Sequence, residues 1–395
     1  MEKPKAVNGI EGYLLFKYKD PQKEDIYCVG SIELDRYIKV TESQKTPIIQ
    51  AISFFDGEHT IEEIEEEAKR TFHISINAKQ LYEILSSAGL LVQQDGEKKG
   101  EIEENEFDKY GIRLASINLR KVQKFFIYPE FVNLMFFAIC LISIIIAIPA
   151  LPKVLKGLLV FNIYKTVNSS MISLIISMAL TTMSVILHEY AHAAIAKGCG
   201  LTPREMDISL YLYLTPMAYI IIPGIYTLPR KRRLEVWSAG ILMNLLIFSV
   251  STSLQMFCVG TVHNLFMLLA YTNLGLIITN FIPFLPLDGY FLMSTFLKIP
   301  NLRRKAFHLN EMKKTSKKSL IYIVYLALSI VASCYLIILP FVQSIFNFGI
   351  AYKRTHSFAA GVKEVWMYIV VLCVVMIAQI NAHRRSRNNE RNGGI

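Results

Sequence analysis

Long apolar runs separated by charged segments dominate this 395-residue chain. A helix that crosses a bilayer needs about 20 apolar residues, and most of the runs approach or exceed that length. Proline interrupts helices, so Pro152 is expected to end the first span. The pattern predicts a polytopic α-helical membrane protein with about six spans, at about 131–151, 171–196, 234–259, 262–285, 320–346 and 365–380.

One further apolar stretch, at 206–226, is predicted to form a β element at the membrane surface instead of a span. Pro216 interrupts it, and Asp207 and Ser209 alternate with apolar neighbours at the two-residue period of a strand. Counting it as a span would place the basic cluster at 230–233 outside the cell, although Lys and Arg favour the cytoplasmic side.

Residues 1–92 predict a small soluble α+β domain. β-Branched and aromatic residues at 24–40 indicate a hairpin or meander, and three short amphipathic helices follow. Thr60 and Glu63 form a capping box for the second helix, and Asn77 caps the third. Strands followed by three short helices are typical of a winged-helix-like domain.

The remaining organisation follows from charge. The Glu- and Lys-rich segment 93–124 is interpreted as a linker and juxtamembrane segment, 125–382 as the membrane domain and 383–395 as a basic cytoplasmic tail. The net charge of +10 is concentrated beside the apolar runs, so it indicates membrane topology and not nucleic-acid binding. Its distribution predicts a multi-pass protein of the cytoplasmic membrane with both termini in the cytoplasm.

Cysteine usage and the start of the chain exclude some classes. The six cysteines are scattered without CxxC spacing, so neither a disulfide framework nor a cysteine metal site is expected. The first ~120 residues are polar and lack an apolar signal-peptide core, so no cleavable signal peptide is expected.

The candidate chemistry lies in the second predicted span, which contains His188-Glu189-Tyr190-Ala191-His192. At 3.6 residues per turn, His188 and His192 share one helix face and can reach one metal ion, while Glu189 projects beside them. Zinc hydrolases present two ligands and a general base in this way. These polar groups are costly in an apolar helix unless they are paired or bound to metal, which favours a functional role over simple packing.

Asp288 is the expected third ligand. It follows Pro283 and Pro286, whose breaks in helical bonding, together with Gly289, allow an unwound helix end. Such backbone is tolerated at membrane depth only where it faces protein or a water-filled cavity. A catalytic zinc has three protein ligands and leaves its fourth position to water, so one Zn²⁺ per chain is predicted.

These motifs together resemble the site-2 protease family of intramembrane zinc metallopeptidases. The resemblance covers a core at about 169–290 and rests on the histidine motif, on 239–244 and on 280–289. It implies that zinc is bound by His188, His192 and Asp288 and that Glu189 is the acid and base. It also makes Asn244 and Asn280 candidates for contact with the substrate or oxyanion, and the 206–226 element a platform that aligns an extended substrate. The chain departs from the family at Ile241, where proline is common.

The N-terminal domain resembles the PqqD-like family of peptide-recognition elements, through 38–40, 55–64 and 88–91. Members of that family hold the leader of a precursor peptide as an added strand on a hairpin edge. A winged helix used for regulation or dimerisation is the alternative. DNA binding is disfavoured because five glutamates at 62–67 would repel phosphate.

Three functions follow from these features. The first is an intramembrane zinc metalloendopeptidase that processes a peptide precursor recruited through residues 1–92, in maturation of a ribosomally made bacterial peptide. The second is a regulatory site-2 protease that cuts a membrane-bound signalling protein or a signal-peptide remnant. The third is a non-catalytic scaffold for peptide export or immunity. The expected partners are a peptide or membrane-protein substrate and the lipid bilayer, without nucleic acid.

Overall fold

The structure is a computed structural model that describes residues 3–18, 20, 23–92, 111–119, 130–157, 161–162, 166–211, 215–285, 287–299, 302–307, 316–363 and part of 365–380. The chain divides into two compact units. The first contains Met1–Glu103 with Cys199–Arg204 and Ile221–Leu234, and the second contains Glu104–Gly198, Glu205–Ile220 and Glu235–Ile395. The predicted tail at 383–395 lies outside the described residues.

The first unit contains a three-stranded antiparallel sheet followed by three helices. The elements are β1 (Ile10–Phe16), β2 (Ile26–Ser31), β3 (Arg36–Thr41), α1 (Glu42–Ile52), α2 (Ile61–Phe72) and α3 (Ala78–Ser87), and the strand order is β1-β2-β3. Val29, Ile38 and Val40 point from one face of the sheet into a core with Ile64 and Leu85 of the helices. Strand β1 was not predicted from the sequence.

The predicted helix caps in this unit are confirmed. The Thr60 hydroxyl accepts from the Glu63 N–H at 3.3 Å, and the Glu63 carboxylate accepts from the Thr60 N–H at 2.7 Å. The Asn77 side chain accepts from the Gln80 N–H at 2.8 Å. These bonds satisfy N–H groups that the first helical turn leaves without intrahelical partners.

Within the same unit, the segment Ile221–Leu234 contacts residues of the sheet and its β2–β3 turn. The Asp35 carboxylate accepts from the Gly224 N–H at 2.9 Å. The Arg233 side chain is buried, donates to the Leu15 carbonyl and lies over the Phe16 ring at 4.9 Å. The unit therefore combines the N-terminal domain with two segments that are distant in sequence.

The second unit contains a second antiparallel sheet, formed by β4 (Gly111–Asn118), β5 (Glu205–Tyr211) and β6 (Thr215–Ile220) in that order. The predicted β element at 206–226 thus forms a hairpin, with Met206 opposite Ile220. Strand β4 lies inside the segment interpreted as a linker and was not predicted from the sequence. Its pairing with β5 gives this segment a structural role, because it covers one edge of the hairpin.

The helices of the second unit include four that are long and apolar enough to cross a membrane, among the residues described. These candidate spans are Asn133–Gly157, Ser170–Gly198, Arg230–Phe257 and Gly260–Phe281. Their helices are α4 (Glu130–Ala147), α5 (Leu151–Gly157), α6 (Ser170–Gly198), α7 (Arg230–Leu254, with its first five residues in the first unit) and α8 (Gly260–Phe281), followed by α9 (Asp288–Leu297), α10 (Leu302–Phe307) and α11 (Ser316–Thr355).

The expectation that Pro152 ends the first span is wrong. A 3₁₀ turn at Ile148–Ala150 joins α4 to α5, which begins at Leu151. Pro152 is the second residue of α5, where a helix needs no donor from its backbone nitrogen, so the proline is accommodated.

The last two predicted spans are described less fully. The fifth falls within α11, where Tyr322–Ala332 is an apolar helical stretch. The sixth, at 365–380, falls partly outside the described residues.

Candidate metal centre

Helix α6 presents His188 and His192 on one face, as their four-residue spacing predicts. Both imidazoles are buried, with 5% and 4% of their residue surfaces exposed. Their Nε2 atoms are 3.2 Å apart, so both point toward one position beside the helix.

The third predicted ligand reaches the same position. Asp288 Oδ2 lies 2.9 Å from His188 Nε2 and 3.1 Å from His192 Nε2. Among the residues described, the two imidazoles and this carboxylate form the group of potential ligand side chains that lie close enough together to hold one metal ion. The structure thus brings together side chains that are about 100 positions apart in sequence.

The local structure at Asp288 differs from the expectation. The backbone is irregular after Phe281, but Asp288 is the first residue of α9 and not part of an unwound helix end. Gly289 is required by a close approach and not by an unusual backbone angle: a Cβ there would lie 2.6 Å from the Phe281 carbonyl oxygen. Phe291, about one turn after Asp288 on α9, stacks on Trp237 of α7 with ring centroids 4.5 Å apart. This contact holds the first turn of α9 against α7.

The donor set fits zinc. Two imidazole nitrogens and one carboxylate oxygen are common zinc ligands, and three protein ligands leave a fourth position open. Bonds of about 2.0–2.1 Å at tetrahedral angles separate ligand atoms by about 3.3 Å. The three distances between the ligand atoms are 2.9, 3.1 and 3.2 Å, so each would need to increase by only a few tenths of an ångström.

Gly240 of α7 leaves space beside the two Nε2 atoms in which a metal ion would fit. A Cβ on this residue would lie 2.3 Å from His188 Nε2 and 2.4 Å from His192 Nε2. These distances are close to a zinc–nitrogen bond, so any side chain at position 240 would occupy the place of a metal. The sequence analysis assigned no role to Gly240, because a glycine in an apolar helix is explained equally well by close packing.

Helix α7 also orients both imidazoles. The Val236 carbonyl lies 2.7 Å from His192 Nδ1, and the Asn244 amide lies 2.9 Å from His188 Nδ1. Because Nε2 faces the metal position, Nδ1 of each ring carries the proton and donates. The Asn244 atom at this distance is the amide nitrogen, and the amide oxygen has no hydrogen-bond partner among the described residues. Exchanging the two by a 180° turn of the amide lets the oxygen accept from Nδ1–H, which would make Asn244 a positioning residue for a candidate metal ligand.

The other two predicted site residues lie differently. Glu189 is partly exposed, and the backbone N–H of Ile220 in β6 is directed at its carboxylate. Asn280 lies near the end of α8, where its carbonyl oxygen would be 2.8 Å from a Cβ on Gly289. Among the described contacts, none joins the Asn280 side chain to the imidazoles or to Asp288.

Comparison with known proteins gives one distant relative. The Bacillus subtilis (strain 168) protein named "Putative peptide zinc metalloprotease protein YydH" is 25% identical over 228 residues. The similarity covers 56% of this chain and 83% of that protein. No family profile and no solved structure matches the chain.

Proposed function

We propose that this protein is an intramembrane zinc metalloendopeptidase of the site-2 protease kind. The observation that carries the proposal is the ligand triangle of His188, His192 and Asp288 around the space left by Gly240. The membrane-length helices that carry this cluster support action within the bilayer. The name of the Bacillus subtilis relative supports zinc and peptide-bond hydrolysis.

The chemistry divides between the ion and the chain. Zinc, when bound, supplies a Lewis acid that polarises the scissile carbonyl and lowers the pKa of water. Glu189 takes the proton of the attacking water and later transfers it to the leaving amine. The Ile220 N–H helps to hold the Glu189 carboxylate in position for both transfers.

The substrate must be extended at the cut, because a helical peptide hides its carbonyls in hydrogen bonds. Strand β6 is suited to pair with it: β4 covers the opposite edge of the hairpin, and β6 is an edge among the described strands. The Ile220 N–H points away from β5 toward Glu189. Because backbone groups two residues apart on a strand point to the same side, the N–H and C=O of Ala218 also point away from β5. A substrate strand paired at Ala218 would lie beside the proposed base.

The N-terminal domain would recruit a precursor peptide through its leader. Strands β2 and β3 form a hairpin, and β1 covers the edge of this hairpin on the β2 side. Among the residues described, the outer edge of β3 (Arg36–Thr41) is therefore the hairpin edge that can pair with a peptide. Capture there would raise the concentration of the correct peptide near the protease. We therefore place the protein in the maturation of a ribosomally made bacterial peptide, in the cytoplasmic membrane with both termini inside.

The catalytic proposal is tested with purified protein in detergent and unfolded casein as a general extended substrate. Wild-type protein should contain one zinc per chain and cleave casein, and a chelator should stop cleavage until zinc is restored. Glu189→Gln should keep its zinc and lose cleavage. Undiminished cleavage by Glu189→Gln would reject the assigned base, and an absence of zinc in the wild-type protein would reject the metal site.

Recruitment is tested with full-length Glu189→Gln protein, which should retain peptides that it cannot cut. A retained precursor should slow hydrogen exchange at the β3 amides and leave β1 unchanged. Slowed exchange at β1, or unchanged exchange in both strands with a peptide bound, would refute the β3 edge.

A further inference from the structure

A cavity of about 240 Å³ lies between helices α4, α6 and α7. Its wall is mostly apolar, and it is lined by Met135, Phe136, Ile139, Tyr190, Ala191, Ala194, Ile195 and Met243, together with Asn133. Ala191 precedes the ligand His192, and Met243 precedes the positioning residue Asn244. The cavity therefore shares α6 and α7 with the metal centre, although its α6 residues lie on a different face of that helix from the two imidazoles.

Asn133 is the unusual part of this wall. Only 3% of its surface is exposed, and neither its amide nitrogen nor its amide oxygen has a hydrogen-bond partner among the described residues. A Cβ on Gly198, the last residue of α6, would lie 2.6 Å from the amide oxygen, so the glycine makes room for this amide. A buried amide without partners is costly, and such a group calls for an explanation such as an absent ligand.

The chemistry of the cavity matches one residue of an extended peptide. A peptide unit offers one N–H and one C=O, which a carboxamide can satisfy as acceptor and donor, whereas an acyl chain offers neither. The volume is below the about 300–1,000 Å³ of typical small-molecule pockets, which suits one apolar side chain. An unwound segment at membrane depth also needs partners for its backbone groups.

We propose that this cavity is a substrate subsite that holds an apolar side chain of the substrate, with Asn133 hydrogen-bonded to the neighbouring peptide group. The inference rests on the proposed function for the identity of the occupant. Ala194 lies two residues beyond His192 and therefore, at about 100° per residue, on the opposite side of α6 from that imidazole. The side chain held here therefore belongs to a substrate residue away from the cut, and the cavity selects for it.

The test measures occupancy and needs neither zinc nor cleavage, so its failure is distinct from failure of the protease proposal. Full-length Ala194→Cys protein is alkylated with N-ethylmaleimide in the presence and absence of N-acetyl-leucine-N′-methylamide. A ligand of about 13 non-hydrogen atoms binds with Kd of about 1 mM at ordinary efficiency. At 10 mM, the probe should therefore slow alkylation of Cys at position 194 about ten-fold, while Cys258 in the same chain reacts at an unchanged rate.

Two comparisons decide the outcome. The glycine analogue of the probe should protect much less, and protection by the leucine probe should disappear in Asn133→Leu. Asn133→Asp, which keeps the size of the side chain and loses its donor, should show intermediate protection, and this variant guards against a general loss of folding. The subsite would be overturned if the glycine probe or dodecane protected as well as the leucine probe, or if Asn133→Leu kept the protection. Such results would indicate a lipid-filled cavity or non-specific exclusion.

Discussion

Replacing Gly240 by alanine tests the metal centre most directly. The added Cβ would lie 2.3 and 2.4 Å from the two Nε2 atoms, whereas real contacts of this kind are essentially never under 3.0 Å. The imidazoles or the helix must therefore move by roughly 0.7 Å, but zinc–ligand distances tolerate only about 0.2 Å. We expect zinc affinity to fall by more than the about 10–100-fold loss that follows removal of a partner hydrogen-bonded to a metal ligand.

The assay is the zinc content per chain, measured by plasma mass spectrometry after gel filtration at a fixed free zinc concentration. Gly275→Ala in α8 is the matched control, because a Cβ there meets nothing within 4 Å. This control should keep wild-type zinc, and its thermal stability should be equal or slightly higher, since alanine favours a helix by up to about 1 kcal/mol over glycine. A folded Gly240→Ala protein with one tightly bound zinc would show that the metal does not lie between these two nitrogens.

Three further outcomes follow from the structure. Asn244→Leu should weaken zinc binding about 10–100-fold, and Asn244→Asp, which keeps an acceptor for His188 Nδ1, should restore much of it; equal losses in both variants would refute the positioning role. Arg233→Met should lower the free energy of unfolding of the first unit by about 1.5–3 kcal/mol and speed hydrogen exchange in β1, whereas the exposed Lys231→Met should do neither. Burial raises the pKa of the Cys28 thiol to about 11, so at pH 8 about one Cys28 thiol in a thousand is ionised, and iodoacetamide should react with Cys28, followed by peptide mass spectrometry, over 100-fold slower in folded than in urea-unfolded protein.

Sequence patterns predicted those elements that carry a strong periodicity. The four-residue spacing of His188 and His192 fixes their common helix face, and the two-residue alternation around Asp207 indicates a strand. Caps at Thr60 and Asn77 depend on residues three positions apart, so local sequence is sufficient for them. Asp288 was predicted as a ligand from the ligand count of zinc together with its surroundings of Pro283, Pro286 and Gly289, and not from any periodicity.

The features that the sequence did not reveal depend on tertiary contacts. Strand β4 (Gly111–Asn118) contains one charged residue and several small ones, and it is a strand because β5 provides its hydrogen-bond partners. Pro152 looks like a helix terminator until the 3₁₀ turn places it in the first turn of a new helix. Nothing in the sequence distinguishes Gly240 from a packing glycine, because its role depends on two nitrogens of another helix.

The roles of Val236, Gly240 and Asn244 have a common geometric origin. They follow one another at four-residue intervals on α7, which is also the spacing of the two histidines on α6. Rows of residues at this spacing form the ridges by which helices commonly pack. Asn244 meets His188 and Val236 meets His192, so the rows run antiparallel, with the space at Gly240 between the two contacts. A slip of four residues along α7 would move this row by about 6 Å and separate both imidazoles from their partners, so ligand orientation and helix packing depend on the same register.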